Sequence, residues 1–510
     1  MLPADFFRAN ADYVNSMKSF MDRDLLNVEL EFERPGQNTE LHGRKVVSFA
    51  SNDYLGLIQD PAVKEVAAEA ARTFGPGAGS SMLGSGSLRI HAELEEELAD
   101  FVGKEATCLF PTGYSAMLGF GAANIINGGK IYCDSLNHRS IIDGLMLGVG
   151  SIPDRSNQFH YFKHNCLEHL ERVHRLQHRD ERYDLCFIEG VYSMDGDQGD
   201  LKALVPYCSR NAMVSALDDA HGFGVLGRHG RGAADHHQVT DQVDFILGTF
   251  SKSLACTGGF CCGDKDAILY LKATASVYMF SASVVPVNVQ VARHVIARLR
   301  RDDSLQKRLW ENIAYLKRCL AQAGFDFGIA DSAVIPVLLS GTEKSFYFAR
   351  RLLQEGIFIV AVTYPVVKRG LERLRISVNA GHRREDIDLL VSSLVKVRKE
   401  WEEAGQKVPT WFKTQAVDTA PLAPQGADSA GEERVFQVIR SKILEVLPGV
   451  DPQAVTLEVS LKELGANSVD RVEVATNAME ELGLRLPRIE LAKATNLREL
   501  TRLFASHLTA

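Results

Sequence analysis

The sequence predicts an α/β protein: a mainly parallel central sheet with helices on both faces, then a smaller α+β unit, then a separate all-α bundle. Three observations predict it. Between residues 46 and 285 short apolar runs alternate with helix-like stretches, the pattern of parallel strands joined by crossovers. From 286 to 403 helical periodicity dominates near 288–300, 304–323 and 383–403, with short strands near 357–362 and 373–378. After an Ala- and Pro-rich stretch, residues 431–510 return to helical periodicity alone.

Composition narrows the function classes. The 510 residues are 45% hydrophobic and 24% charged, as in ordinary globular chains. A net charge of −8 gives nucleic acid no basic footprint. No apolar run approaches the roughly 20 residues of a membrane helix. Residues 1–8 lack the basic-then-apolar pattern of a signal peptide. Nine cysteines, odd in number and without Cys-x-x-Cys, read as reduced thiols of a cytoplasmic protein. No metal site is expected.

Taken in order, residues 1–45 read as a helix and an irregular arm. Val46–Leu57 is a short strand running into the polar turn Ser51-Asn52-Asp53-Tyr54. Pro61 opens an Ala-rich helix at its favoured first position. Gly75–Ser87 is a Gly- and Ser-rich loop without Gly-x-Gly-x-x-Gly, as suited to a mobile surface as to a ligand. His91 then begins a helix with Leu94, Leu98 and Phe101 on one face. Ala106–Phe110 precedes a helix starting near Gly113 and Tyr114, whose N–H groups suit a phosphate. Lys130–Asp134 precedes a turn with His138, an imidazole that either stacks on a cofactor ring or caps and fills the core. Tyr183–Ile188 ends in Glu189–Asp197. Met213-Val214 leads to Asp218-Asp219-Ala220-His221-Gly222, and Val243–Leu247 leads to Gly248-Thr249-Phe250-Ser251-Lys252.

Strand ends are where open α/β sheets bind ligands. At two of them the chain places an amine, a carboxylate and an imidazole, which together suit pyridoxal phosphate (PLP). Lys252 supplies the amine for a Schiff base. Asp218 supplies the carboxylate that keeps the pyridine nitrogen protonated, and His221 a donor near the ring hydroxyl. Thr249 and Ser251 offer hydroxyls to a phosphate, although the nucleotide-loop spacing Gly-x-x-x-x-Gly-Lys-Ser is absent. Singly, each has a plainer reading: a solvated lysine, and a hydrogen bond across a turn. Arg375, in the strand Leu374–Val378, either holds a carboxylate bidentately or joins a surface ion pair.

Residues 404–430, with Thr419-Ala420-Pro421-Leu422-Ala423-Pro424, read as a disordered linker. Beyond it Val435, Ile439, Ile443, Leu444 and Leu447 define an amphipathic helix. Ser468 stands where a second helix begins, an N-cap in the plain reading. Ile489–Leu508 gives further helical periodicity.

Over about residues 45–400 the motifs Ser51–Gly56, the glycine loop ending near His91, Glu189–Asp197, Asp218–Gly222 and Gly248–Lys252 occur in one order. In that order the chain resembles the α-oxoamine synthases, fold-type I PLP enzymes that include 8-amino-7-oxononanoate synthase, 5-aminolevulinate synthase and serine palmitoyltransferase. The resemblance implies that Lys252 is the Schiff-base lysine and moves the α-proton. It puts Asp218 at the pyridine nitrogen, His221 and Ser193 at the ring hydroxyl, and His138 stacked on the ring. Gly113, Tyr114, Thr249 and Ser251 match phosphate-side positions. Ser281 and Ser283 match a segment that reaches the neighbouring subunit's cofactor, so a homodimer with shared active sites is implied. Asn52 and Arg375 match substrate-side positions, Arg375 as carboxylate anchor. Ser80-Ser81-Met82 departs from the family, where many members carry an arginine after the serine; the departure falls on the acyl-donor side.

The last unit, 431–510, resembles an acyl carrier protein of polyketide type. Gly465-Ala466-Asn467-Ser468 matches its attachment motif, with Asn467 in place of the commoner aspartate. Ser468 would then carry 4′-phosphopantetheine, added by a phosphopantetheinyl transferase. The implied activity is decarboxylative condensation of an α-amino acid with an acyl thioester, giving an α-amino ketone in polyketide assembly, with other assembly-line enzymes as partners. A coil of the linker's length spans about 25–30 Å and holds the thioester near roughly millimolar concentration. Two other readings stay open: transamination of a carrier-bound chain, and a carrier scaffold whose PLP half is inert.

Overall fold

The computed structural model describes residues 36–41, 44–124, 129–149, 158–178, 183–405, 429–447, 449–466, 468–484, 494 and 496–508. The expected helix within 1–35, most of the linker, the stretch 485–493, Asn467 and the side chain of Ser468 lie outside the described residues.

The described chain enters as an antiparallel hairpin, β1 (Gly36–Leu41) and β2 (Arg44–Ser48). The central sheet follows: β3 (Ala106–Phe110), β4 (Ile131–Asp134), β5 (Phe159–Phe162), β6 (Asp184–Glu189), β7 (Met213–Asp218), β8 (Phe245–Thr249) and β9 (Gly259–Gly263). Their order is β3-β9-β8-β7-β6-β4-β5, and only β9 runs antiparallel to its neighbours. The strands are short apolar runs because both faces are covered. Alternate residues enter two different cores: Cys186, Ile188, Leu217 and Ile246 pack on one side, Leu185, Phe187, Ala216 and Leu247 on the other.

Helices α1 (Pro61–Phe74), α2 (Arg89–Val102), α3 (Gly113–Asn124), α4 (Arg139–Val149), α5 (Leu167–Gln177), α6 (Leu201–Arg210) and α7 (Lys265–Thr274) accompany these strands. The start of α1 is fixed as the sequence implies, with Pro61 in its first turn and the Asp60 carboxylate accepting from the N–H of Ala62 and Val63. Helix α3 is built of small residues, and its Gly121 backbone meets that of Gly144 in α4 with no room for a side chain between them.

The second unit contains α8 (Pro286–Arg301), α9 (Ser304–Gln322), β10 (Val334–Leu338), α10 (Thr342–Gln354), β11 (Ile357–Phe358), β12 (Val360–Val362), β13 (Arg373–Ser377) and α11 (Arg384–Glu403). Strands β10-β13-β12 form an antiparallel sheet, while β11 pairs in parallel with β2. Two features depart from the sequence reading. Residues 36–41 and 44–45 are paired strand rather than irregular arm, and with β11 they make a three-stranded sheet of their own, β1-β2-β11. Gly36-Gln37-Asn38-Thr39-Glu40 shows no apolar alternation, so nothing local announces a strand. Strand β10 was masked by Pro336, tolerated because β10 pairs on one side only.

The carrier unit contains α12 (Ser429–Val446), α13 (Ser468–Leu482) and α14 (Leu497–Leu508) around its own core of Val435, Ile439, Ile443, Val474, Ala478 and Phe504. Helix α13 begins at Ser468, as expected. All nine cysteines are free thiols. No helix among the described residues is long and apolar enough to cross a membrane.

Candidate active site

The parallel strands end on one edge of the sheet, and the expected residues gather there. β6 ends at Glu189 and β7 at Asp218, which face each other in register. β8 ends at Thr249, three residues before Lys252. His138 follows the end of β4, its backbone N–H donating to the Glu189 carboxylate. Asp218, His221 and Glu189 are buried, whereas His138, Ser251 and Tyr114 are exposed. The site thus has a closed polar floor and an open side.

Burial sets the protonation of that floor. Desolvation lowers the Lys252 ammonium to about 8, against the pull of Asp218 in the other direction. Desolvation raises the Asp218 carboxyl, with Lys252 and His138 opposing. Glu189 is pushed far up by burial and by the charge of Asp218. His221 is pushed well below the usual histidine range by burial and by Lys252 and Arg375. It therefore faces Tyr54 as a neutral imidazole, Nδ1 lying 2.6 Å from the phenol oxygen.

On the substrate side, Tyr54 Oη lies 3.2 Å from Asn52 Oδ1. Arg375 donates from Nε to the Ser193 carbonyl at 2.7 Å, and from Nη1 to Asn52 Oδ1 at 3.0 Å and Ser377 Oγ at 2.8 Å. A guanidinium has five N–H donors; Nε and Nη1 are committed here, and the Tyr54 hydroxyl also lies within the guanidinium's influence. The bidentate fork expected from sequence is therefore spent largely inside the protein. Ser193 meets Arg375 through its carbonyl.

The residues fit PLP. A Cβ at Gly113 would lie 2.5 Å from the Thr249 Cβ, so the first turn of α3 abuts the end of β8. Helix N-termini present unpaired N–H groups and attract phosphate. Thr249 Oγ1 and Ser251 Oγ, 2.8 Å apart, stand at that turn. The Tyr114 hydroxyl is taken up by Asp143, to which it donates at 2.5 Å. The buried Ser253 hydroxyl has no hydrogen-bond partner among the described residues. Ser281 donates to Val277 in its own turn. Ser283 is buried and donates to the carbonyls of Gly86 and Ser80, tying down the glycine-rich loop.

Several functional residues escaped the sequence reading. Glu189 and Tyr54 were visible as motif members but carried no assigned role. Arg373, almost fully buried, donates to Asp195 at 2.6 Å and to the Met194 carbonyl at 2.9 Å. His164 bridges Asp134 (3.0 Å) and Asp197 (2.7 Å). These contacts pin both sides of the Glu189–Asp197 turn from distant parts of the chain, and no local pattern signals them.

Comparison with known proteins agrees with this geometry. The aminotransferase class I and II family matches residues 44–394, and the phosphopantetheine attachment site family matches 437–504. The chain is 37% identical over 369 residues to a serine palmitoyltransferase of Sphingobacterium spiritivorum, covering 72% of this chain and 90% of the relative. It is 34% identical over 398 residues to an 8-amino-7-oxononanoate synthase of Thermoanaerobacter pseudethanolicus, covering 75% and 99%. Among solved structures it is similar to a Sphingomonas wittichii serine palmitoyltransferase (TM-score 0.73, 29% identity, 78% of this chain and 99% of that one). It is also similar to a serine palmitoyltransferase solved with PLP (TM-score 0.72, 28% identity, 77% and 98%).

Proposed function

The chain belongs to the class I and II aminotransferase family, as a PLP-dependent α-oxoamine synthase-type acyltransferase fused to a phosphopantetheine-attachment domain, and on that footing we propose that it condenses an α-amino acid with a carrier-bound acyl thioester. The α-hydrogen leaves as a proton, a C–C bond forms to the thioester carbonyl, and the C–S bond breaks to release the carrier thiol. The amino acid's carboxylate then departs as CO₂, leaving an α-amino ketone.

When bound, PLP supplies the electron sink that lets the α-carbon carry negative charge. The protein's own groups do the rest. The Lys252 amine would hold the cofactor and, when free, would take and return the α-proton. A value near 8 leaves an appreciable neutral fraction at physiological pH, as a base needs. Asp218 holds negative charge beside the ring nitrogen. With PLP bound, His221 and Tyr54 would orient the ring hydroxyl, and His138 would cover the ring face. Gly113, Tyr114, Thr249 and Ser251 bind the phosphate. Nη2 of Arg375 meets the substrate carboxylate beside Asn52. The observation that carries this reading is the convergence of Lys252, Asp218 and His221 beyond the adjacent strands β7 and β8.

A carrier-bound donor is supported by the fusion itself and by two contacts. Lys368 Nζ lies 3.5 Å from Asp470 in the first turn of α13, and the Tyr364 hydroxyl lies 3.4 Å from the Ala466 carbonyl. Both contacts fall on the connection between β12 and β13, the strand that carries Arg375. Ser468, heading α13, is the attachment residue. The Gly465–Ser468 motif supports a polyketide setting, the free thiols support a cytoplasmic one, and the segment holding Ser281 supports a homodimer with shared sites.

The test is a product analysis with a panel of amino acids and the acylated holo-protein. Stoichiometric CO₂, a free carrier thiol and an α-amino ketone are expected, all lost in Lys252→Ala. A keto acid without a new C–C bond would establish transamination instead. Unchanged turnover in Lys252→Ala would refute the assignment of the lysine.

A further inference from the structure

We propose that His174, His178 and Asp184 form a binding site for a divalent transition-metal ion, zinc by preference, at the end of the sheet remote from Lys252. His174 and His178 flank the last turn of α5, four residues apart and so on one face of the chain. Asp184 is the first residue of β6, whose last residue is Glu189. Five strand steps of about 3.3 Å separate the two ends by roughly 16 Å, so this cluster is not part of the catalytic floor.

The geometry is that of a ligand set. One ligand atom from each of the three residues lies within 4.8 Å of the other two. His174 Nε2 is 3.2 Å and His178 Nδ1 2.9 Å from the same oxygen, Asp184 Oδ2. A tetrahedral zinc with bonds of about 2.0–2.1 Å holds its ligands about 3.3 Å apart. An ion placed among these atoms therefore requires only small shifts.

The surroundings aim each ligand inward. The other oxygen of Asp184 accepts the Lys130 N–H at 2.8 Å, which fixes the carboxylate. His174 Nδ1 is 2.9 Å from the Tyr207 hydroxyl, the kind of contact that orients a metal-bound imidazole. This leaves Nε2 turned towards the cluster. Among the described residues that buried nitrogen has Asp184 Oδ2 at 3.2 Å, close enough for an ion pair but out of line for a well-formed hydrogen bond. A buried polar atom so poorly satisfied is costly, and a metal would satisfy it. The His178 side chain is 31% exposed, which leaves a path for the ion and a fourth position for water. The ion would clip the end of α5 to β6, a structural rather than a catalytic task.

The test uses the full-length PLP-loaded protein, stripped with a chelator, titrated with Zn²⁺ or Co²⁺ and desalted before bound metal is counted. One equivalent per chain is expected. It should be lost in His174→Gln and in His178→Gln, while PLP absorbance and elution volume stay unchanged. Tyr207→Phe should weaken binding about tenfold to a hundredfold. If His174→Gln fails to fold, the partly exposed His178→Gln carries the test alone. Absence of metal from the wild type at micromolar free zinc would overturn the site and leave a hydrogen-bonded cluster. So would retention of the equivalent in His178→Gln, which would place it on the cysteine thiols. PLP content is read independently, so either failure leaves the catalytic reading intact.

Discussion

Replacing Arg375 by lysine tests how the substrate carboxylate is held. The guanidinium spans the Ser193 carbonyl, Asn52 and Ser377, and those three bonds fix where Nη2 points. A lysine keeps the charge but cannot span the three acceptors. At least one charge-assisted hydrogen bond to the amino acid is lost or misplaced, worth about 1.5–3 kcal/mol. At 1.4 kcal/mol per factor of ten, amino-acid affinity should fall about tenfold to a hundredfold. The assay is steady-state kinetics with amino acid varied at saturating acyl thioester, then the reverse, alongside a thermal melt. The amino-acid KM should rise by that factor while the acyl-thioester KM stays within about twofold. An amino-acid KM within threefold of wild type, or equal losses for both substrates, would show that Arg375 only braces the strand and would refute the anchor role.

Three further outcomes follow from the same geometry. Burial lowers the His164 imidazole, but hydrogen bonds and charge from Asp134 and Asp197 outweigh this and raise it to about 10 from 6.5. Its stabilisation, on the order of 3 kcal/mol, is therefore complete below pH 6.5 and lost as pH rises towards 10. Urea melts across that window should converge for wild type and His164→Gln at high pH, and a gap independent of pH would refute the ion pairing. Gly113→Ala places a Cβ 2.5 Å from Thr249, an overpacking of about 1–3 kcal/mol; PLP retained on gel filtration should fall by tenfold or more, and full retention would remove the phosphate cradle. Lys368→Glu should slow single-turnover condensation from the chain's own acylated carrier about two- to tenfold, as befits an exposed pair. Asp470→Lys should restore it, turnover of a free acyl thioester should not change, and failure of the rescue would dismiss the contact.

What was legible in the sequence was chemistry carried within a few residues. Lys252, Asp218 and His221 announce themselves because each reactive group stands at the end of an apolar strand or within three residues beyond it, and the strand alternation needed no tertiary information. What was not legible depends on sheet order. Glu189 meets Asp218 only because β6 lies beside β7. Arg373 meets Asp195, and His164 meets Asp134 and Asp197, across long stretches of chain. The spent fork of Arg375 is of the same kind, since its acceptors come from three parts of the chain. Strand β1 pairs through its backbone and shows no apolar alternation in its side chains, and β10 hides behind a proline that its edge position accommodates. His174 and His178 carry no assignment from sequence, because the carboxylate that would give them a purpose arrives from β6.

The weakness of the carrier contact is itself informative. A half-exposed lysine 3.5 Å from Asp470 contributes no more than about 1 kcal/mol, and one long hydrogen bond from Tyr364 adds little. Between separate molecules such a contact would be unpopulated. Within one chain, the linker expected over 404–430 would supply on the order of millimolar effective concentration, and a millimolar dissociation constant corresponds to only about −4.1 kcal/mol. The two contacts fall short of that figure, so the docked state is only partly occupied and opens readily. On the proposed function the carrier leaves the synthase to be reloaded after each turnover. An interface much stronger than this one would hold the spent thiol at the site, so added ion pairs beside Lys368 should raise single-turnover rates while lowering steady-state ones.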